Sequence, residues 1–302
     1  MQVSARSLAV LAGILALSSG CRDSREAKAA QLRDVEANRE KLLQRRMGVA
    51  DSNPDRAVPL AQWIMPAELR EISGLTLLAN GNVLAHDDEV GRIYEIDPKS
   101  GIIVKRFALA GTPHADFEGI TTAGGDIYLV QSNGQLFKFM PAADGGESSY
   151  ERFDTHLGRE CEFEGVAYQA DSSWLVLPCK RVGSKRYKHD LVIYRLTLPI
   201  SEASRLSVLT IPMEDVVASN GWKNVAPSDI AIDPVTGNYV LVAAQEKALI
   251  IITPEGQVVR SERLPPGHDQ AEGVAVTPDG ILIVSDEATR RPADITLYRW
   301  RR

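Results

Sequence analysis

The sequence predicts an all-β fold: a β-propeller of five four-stranded blades, with an N-terminal strand closing the last blade and a helical tether in front. Three observations carry that prediction. One motif recurs five times, as Ile72-Ser73-Gly74-Leu75, Phe117-Glu118-Gly119-Ile120, Phe163-Glu164-Gly165-Val166, Pro227-Ser228-Asp229-Ile230 and Ala271-Glu272-Gly273-Val274, at intervals of 45, 46, 64 and 44 residues. Each copy leads into two more short apolar runs, such as Ile281-Leu282-Ile283-Val284 and Ile295-Thr296-Leu297-Tyr298 after the fifth. Gly, Asp, Asn and Pro turns separate these β-branched or alternating runs, which is the pattern of strands.

The elements follow in chain order. Residues 1–20 have the layout of a signal peptide: Arg6, an apolar run from Leu8 to Leu17, then small residues. The run is too short to span a bilayer. The ending Leu17-Ser18-Ser19-Gly20-Cys21 resembles a bacterial lipoprotein lipobox, with Ser18 where that pattern prefers Leu. The resemblance implies lipidation of Cys21 after removal of residues 1–20, and more than one acyl chain gives a stable anchor. Arg22, rather than Asp, after the cysteine implies sorting to the outer membrane, facing the periplasm. Residues 21–57 form a charged tether. Residues 22–46 lack Gly and Pro and favour helix, and a helix rising ~1.5 Å per residue would reach up to ~35–40 Å. Residues 48–57 form a linker.

The propeller occupies 58–302, which is 245 residues or 49 per blade. A fourth strand appears in four repeats, as in Ile103-Val104-Lys105-Arg106-Phe107 and Val258-Val259-Arg260-Ser261. The fifth repeat stops after its third strand. The segment 59–64 (PLAQWI) is expected to supply the missing one and remove a free sheet edge. The 64-residue interval is read as an insertion rather than a sixth blade, with extended loops at 180–190 and 212–226.

Composition narrows the function classes. Of 302 residues, 44% are hydrophobic and 25% charged, which excludes a disordered chain. A net charge of −6 argues against a general nucleic-acid binder. That charge divides unevenly: +3 on residues 1–57 and −9 on the propeller. Cys161 and Cys179 flank the turn at 169–172 symmetrically, so a hairpin disulfide is expected in an oxidising periplasm.

In a propeller the first strand of each blade lines the axis. The motif therefore places Ser73, Glu118, Glu164, Asp229 (or Ser228) and Glu272 around one mouth of the channel. The second strands run back to the same face and end in polar residues, adding His86, Asp88, Asn133, Lys180, Glu246 and Asp286 to a candidate ligand-binding face. All five histidines (His86, His114, His156, His189 and His268) fall on loops of that face. The opposite turns, such as Pro98-Lys99-Ser100-Gly101 and Pro278-Asp279-Gly280, read as generic. Glu118, Glu164, Asp229 and Glu272 would repel one another at close range. Three resolutions stay open: a hard cation, Ca²⁺ or Mg²⁺, held among them; pairing with Lys180, Arg181 or Lys247; or hydrogen bonds from backbone amides of neighbouring blades. His114 and His268 are the candidate general bases. The sequence contains no HExxH motif.

The succession EISGL, DFEGI, EFEGVAY, PSDIAIDPVTGNYVLVAAQE and AEGVAVTPDGILIVSDE resembles the SdiA-regulated domain family, which includes YjiK-like envelope proteins, over about residues 68–302. The resemblance implies a five-bladed propeller with an acidic axial mouth that binds calcium, and no established reaction. The fourth motif departs from it, with Asp229 and Ala231 where the family commonly has Ser-Gly. A more distant likeness to calcium-dependent propeller lactonases and phytase-associated esterase-like propellers implies hydrolase chemistry. The expected role is a binding module for a small ligand or envelope protein, attached to the membrane by its lipid. The alternatives are a metal-dependent hydrolase of phosphoesters, esters or lactones, and a structural scaffold.

Overall fold

The structure is a computed structural model that describes residues 34–302, apart from 36, 54–56, 202–203 and 218–219. Cys21 and the expected signal segment 1–20 lie outside the described residues. The chain divides into two compact units, Met1–Val49 and Ala50–Arg302. The described residues of 34–52 are helical, as their Gly-free composition predicts. No helix among the described residues is long and apolar enough to cross a membrane.

The second unit is a five-bladed β-propeller. Blade one comprises β2 (Ile72–Leu77), β3 (Val83–Asp87), β4 (Arg92–Asp97) and β5 (Ile102–Leu109). Blade two comprises β6 (Phe117–Ala123), β7 (Asp126–Gln131), β8 (Gln135–Phe139) and β10 (Tyr150–Asp154), and the short β9 (Glu147–Ser148) pairs with the edge of β5. In blade three the inner edge is split into β11 (Cys161–Phe163) and β12 (Ala167–Gln169). Both pair with β13 (Trp174–Val182), followed by β14 (Asp190–Thr197) and β15 (Leu206–Pro212). Blade four is β16 (Asp229–Ile232), β17 (Tyr239–Ala243), β18 (Ala248–Ile252) and β19 (Val258–Arg263). Blade five is β20 (Ala271–Val276), β21 (Ile281–Asp286) and β22 (Asp294–Arg299), completed by β1 (Ala61–Ile64) from the start of the domain. β1 runs antiparallel to β22, with Trp63 opposite Ile295, so the expected closure is present.

Burial explains why these segments are strands. The middle strands sit between two neighbouring blades and read as continuous apolar runs: every residue of β17 (YVLVA) and β18 (ALIII) is buried. Outer strands face solvent on one side and alternate, as β5 does. The core is a set of seams between blades. Ile93, Phe117, Ile120 and Leu129 fill one, and Val240, Val242, Val274 and Leu282 fill another. Each such side chain stabilises the fold by roughly 1.5–3 kcal/mol.

The inner strands meet through the motif glycines. A Cβ on Gly119 would lie 2.4 Å from the Gly165 Cα, and one on Gly74 would lie 3.0 Å from the Gly119 Cα. A Cβ on Gly273 would lie 2.7 Å from Leu75 Cγ. Only glycine permits this approach, and it closes the ring around the axis. The register shifts by one residue at Ser73/Leu75, Phe117/Gly119 and Ala271/Gly273, so these strands are bulged at the motif.

The long third interval contains no sixth blade. The expected loop at 180–190 is partly strand, because β13 continues to Val182 and β14 starts at Asp190. The 212–226 segment contains a short helix, Met213–Val217, anchored by the buried Val216 against the seam between blades three and four. Cys161 and Cys179 form the expected disulfide across the β11–β13 pair.

Candidate functional site

The residue before each motif glycine faces one mouth of the axis. Four of the five such residues, Ser73, Glu118, Glu164 and Glu272, line a single cavity of about 150 Å³ together with Asp88, Lys180 and Glu287. The strand scaffold dictates this convergence. The first strands bring in Ser73, Glu118 and Glu272, the break between β11 and β12 brings in Glu164, β13 brings in Lys180, and Asp88 and Glu287 follow β3 and β21. Five carboxyls thus surround one ammonium. Lys180 Nζ lies 2.7 Å from Glu164 Oε1, and Gln270 Nε2 donates to Glu272 Oε1 at 2.6 Å.

Crowding shifts the protonation of these groups. Burial, then the charges of Glu164 and Asp116, push Glu118 up to about 10. Burial, with the Glu164 charge, pushes Glu272 up to about 7. Glu287 rises to about 8 through burial and its contact with Glu71, and Asp88 to about 6 through burial and the Glu71 charge. Burial raises Glu164 as well, against the pull of Lys180. Burial works against the Lys180 charge, but Glu164 and the surrounding glutamates hold its pKa above the ordinary lysine value. At neutral pH the site therefore holds a protonated Glu118, a half-titrated Glu272 and one fixed ion pair.

Asp229 is not part of this cavity. It stands at the glycine position of its motif, and Ser228 stands at the glutamate position. Asp229 is fully buried, and its Oδ2 accepts from the Leu75 amide of blade one at 3.1 Å and the Val274 amide of blade five at 2.8 Å. A Cβ on Gly165 of blade three would lie 2.7 Å from its Oδ1. One carboxyl from blade four thus reaches blades one, three and five, which places it on the axis. Burial raises its pKa well above the carboxylate range, and the amides act against that rise. Ser228 Oγ is turned to the Ala271 carbonyl.

The four expected metal ligands therefore do not gather as one set. Glu118, Glu164 and Glu272 share the cavity with Lys180, while Asp229 is committed to amides below it. No group of three or more His, Cys, Asp or Glu among the described residues is arranged to hold a metal ion.

The other expected site residues are dispersed. His86 is buried, with Nδ1 3.1 Å from the Asp87 carbonyl oxygen, and burial lowers its pKa to about 4, so it is neutral. His268 is also buried, bonded through Nδ1 to Asp286 and through Nε2 to the Tyr298 hydroxyl at 2.9 Å. Both partners belong to blade five, and His268 does not line the cavity. His114, His156 and His189 are exposed. Asn133 accepts from the Gln135 amide in its own turn, and Glu246 accepts from the Ala226 amide. Sequence reasoning missed Gln270, Glu287 and Glu71. Glu287 ends the run Ser285-Asp286-Glu287, and strand alternation turns Asp286 toward His268 and leaves its neighbour for the mouth.

The class of protein these features define is a β-propeller with an acidic axial mouth. Solved structures agree on the fold. The glutaminyl cyclase of Myxococcus xanthus is similar at 15% identity and a TM-score of 0.53, over 80% of this chain and 95% of that one. The PQQ-bound aldose sugar dehydrogenase of Streptomyces coelicolor is similar at 11% identity and a TM-score of 0.52, over 81% of this chain and 98% of that one. No protein-family model matches the chain, so none supports the resemblance to the SdiA-regulated family. No curated protein matches it either.

Proposed function

We propose that this propeller is a binding module of the SdiA-regulated type, anchored through Cys21 to the outer membrane and facing the periplasm, whose acidic mouth takes the ammonium or guanidinium group of a small ligand. One observation carries the reading: five carboxyls share a 150 Å³ cavity with a single ammonium. The crowding that drives protons onto these carboxyls also attracts any other cation small enough to enter. Calorimetric titration of the folded domain with 1,4-diaminobutane tests it, with Ca²⁺ as the comparison. The diamine should bind and release protons, which makes the heat depend on the buffer. Glu272→Gln should weaken binding about tenfold. Absence of saturable diamine binding overturns the reading, and tight Ca²⁺ binding alone would replace it with a metal site. Metabolic labelling with an alkynyl fatty acid tests the anchor: a Cys21→Ser protein that still takes up label rejects it.

A second reading is favoured by the titration pattern. Glu272, half-titrated near pH 7, and Glu118, held protonated, meet the needs of a general base and a general acid. Turnover of a phosphoester, ester or lactone panel, lost in Glu272→Gln, would move the assignment to a hydrolase.

A further inference from the structure

The glycine layer and Asp229 divide the axis in two. Residues before the glycine line the acidic cavity, whereas residues after it, including Leu75, Val166 and Ile230, line a separate chamber of about 440 Å³ at the opposite mouth. That volume lies in the range of small-molecule sites. Its width has a cause in the sequence. The second residue after the glycine position is small in every blade: Thr76, Thr121, Ala167, Ala231 and Ala275. All five line the chamber.

The walls are two-sided. Blades one to three contribute Thr76, Thr121, Thr122 and Gln169 as hydrogen-bonding groups, set among the apolar Leu75, Leu77, Val166 and Ala167. Thr121 is only 3% exposed and lines the chamber. Gln169 is also buried, and its Oε1 accepts from the Tyr239 hydroxyl at 2.6 Å, which leaves the amide donors free. Blades four and five contribute hydrocarbon, from Ala231, Ile232, Ala275 and Val276. Among the described residues no Lys, Arg or His lines the chamber. Of its two aspartates, Asp233 is taken by Trp300 and Arg302, and Asp171 is exposed. A buried anion would lose its hydration here without gaining a countercharge.

We infer that this chamber is a second binding site, for a neutral ring compound with hydroxyl or carbonyl groups on one edge and hydrocarbon on the other. Thr121 and Gln169 would hold the polar edge, and the alanine side would receive the apolar face. The inference does not depend on the acidic mouth.

Ligand-observed NMR titration of the full chain tests it, with trans-1,2-cyclohexanediol as probe and cyclohexanecarboxylate as the charged comparison. The diol should bind saturably and the carboxylate about tenfold or more weakly. Thr121→Val keeps the shape and removes the hydroxyl, so it should weaken the diol about fivefold with an unchanged melting temperature. Ala275→Leu, read only if the protein remains folded, should fill the chamber and abolish binding. Glu272→Gln should leave diol binding unchanged. No saturable diol binding, equal binding of the carboxylate, or full binding by Thr121→Val would each overturn the inference, whatever the diamine does at the other mouth.

Discussion

Asp229 shows how much one residue can decide. In the other four motifs glycine stands at this position, and the inner strands pass each other at backbone contact. In blade four a buried carboxyl fills the axis and accepts from Leu75 and Val274. Asp229→Gly would restore the motif and still remove the bond that ties blade four to blades one and five. Two buried amides would lose their acceptor, at about 1–3 kcal/mol each. The expected outcome is a thermal midpoint lower by roughly 2–4 °C for each kcal/mol lost, with Asp229→Asn intermediate; an unchanged midpoint in Asp229→Gly would contradict the role. Sequence placed Asp229 at the mouth because Ser-Asp replaces Glu-Gly and either residue could take the glutamate's place. A shift of one residue sends a strand side chain to the other side. Only the neighbouring blades, not the motif itself, decide between them. The histidines were similarly ambiguous: all five map to one face in sequence, but His86 and His268 are buried away from the cavity.

At the scale of the element, the β11–β13 hairpin organises the acidic site. The disulfide ties Cys161 to Cys179, and Lys180 is the next residue on β13. The register shifts between Glu162 and Phe163, just before Glu164. This hairpin therefore sets both members of the one ion pair in the cavity. Lys180→Met would leave Glu164, which is 2% exposed, without its countercharge. Loss of one partner of a buried pair costs about 3–5 kcal/mol unless the survivor protonates. Glu164 can protonate, so the penalty should depend on pH. Its pKa would rise further in the folded state, so stability is retained at low pH and lost as the pH rises through that value. Denaturant melts should show a small penalty for Lys180→Met at pH 5.5 and a larger one at pH 8.5; equal penalties would mean that Lys180 does not neutralise Glu164. The hairpin and its disulfide were legible from the symmetry of the cysteines about a turn. The split of the inner strand was not, because a bulge depends on what the next blade presses against. The third-interval insertion was recognised, but its short helix was not, since five residues are too few to show a period.

At the scale of the whole molecule, the five repeats and the closing strand could be read directly, because repetition averages out local ambiguity. The acidity of the propeller was also legible, but its concentration at one mouth becomes a pH response only in three dimensions. Asp88, Glu272, Glu287 and Glu118 are raised to about 6, 7, 8 and 10. Each binds its proton more tightly folded than unfolded, so its contribution is complete below about pH 4 and lost as pH rises through the folded value. Groups of the opposite kind act at lower pH: burial lowers His86 to about 4, so it costs stability as the pH falls below its ordinary value of 6.5. Although burial opposes ionisation of Asp233, Trp300 and Arg302 hold its pKa below the ordinary value. Its contribution is present above about pH 4 and lost only in stronger acid. Between about pH 6.5 and 8.5 the mouth carboxyls and the buried Asp229 act in one direction, and the thermal midpoint should fall by several degrees across that window. Glu287→Gln should flatten the fall, because it removes one titrating group and relieves Glu71. A cationic ligand should act most strongly where the protons have left. Saturating 1,4-diaminobutane should raise the midpoint more at pH 8.5 than at 5.5. A pH-independent rise would mean that the diamine binds away from these carboxyls.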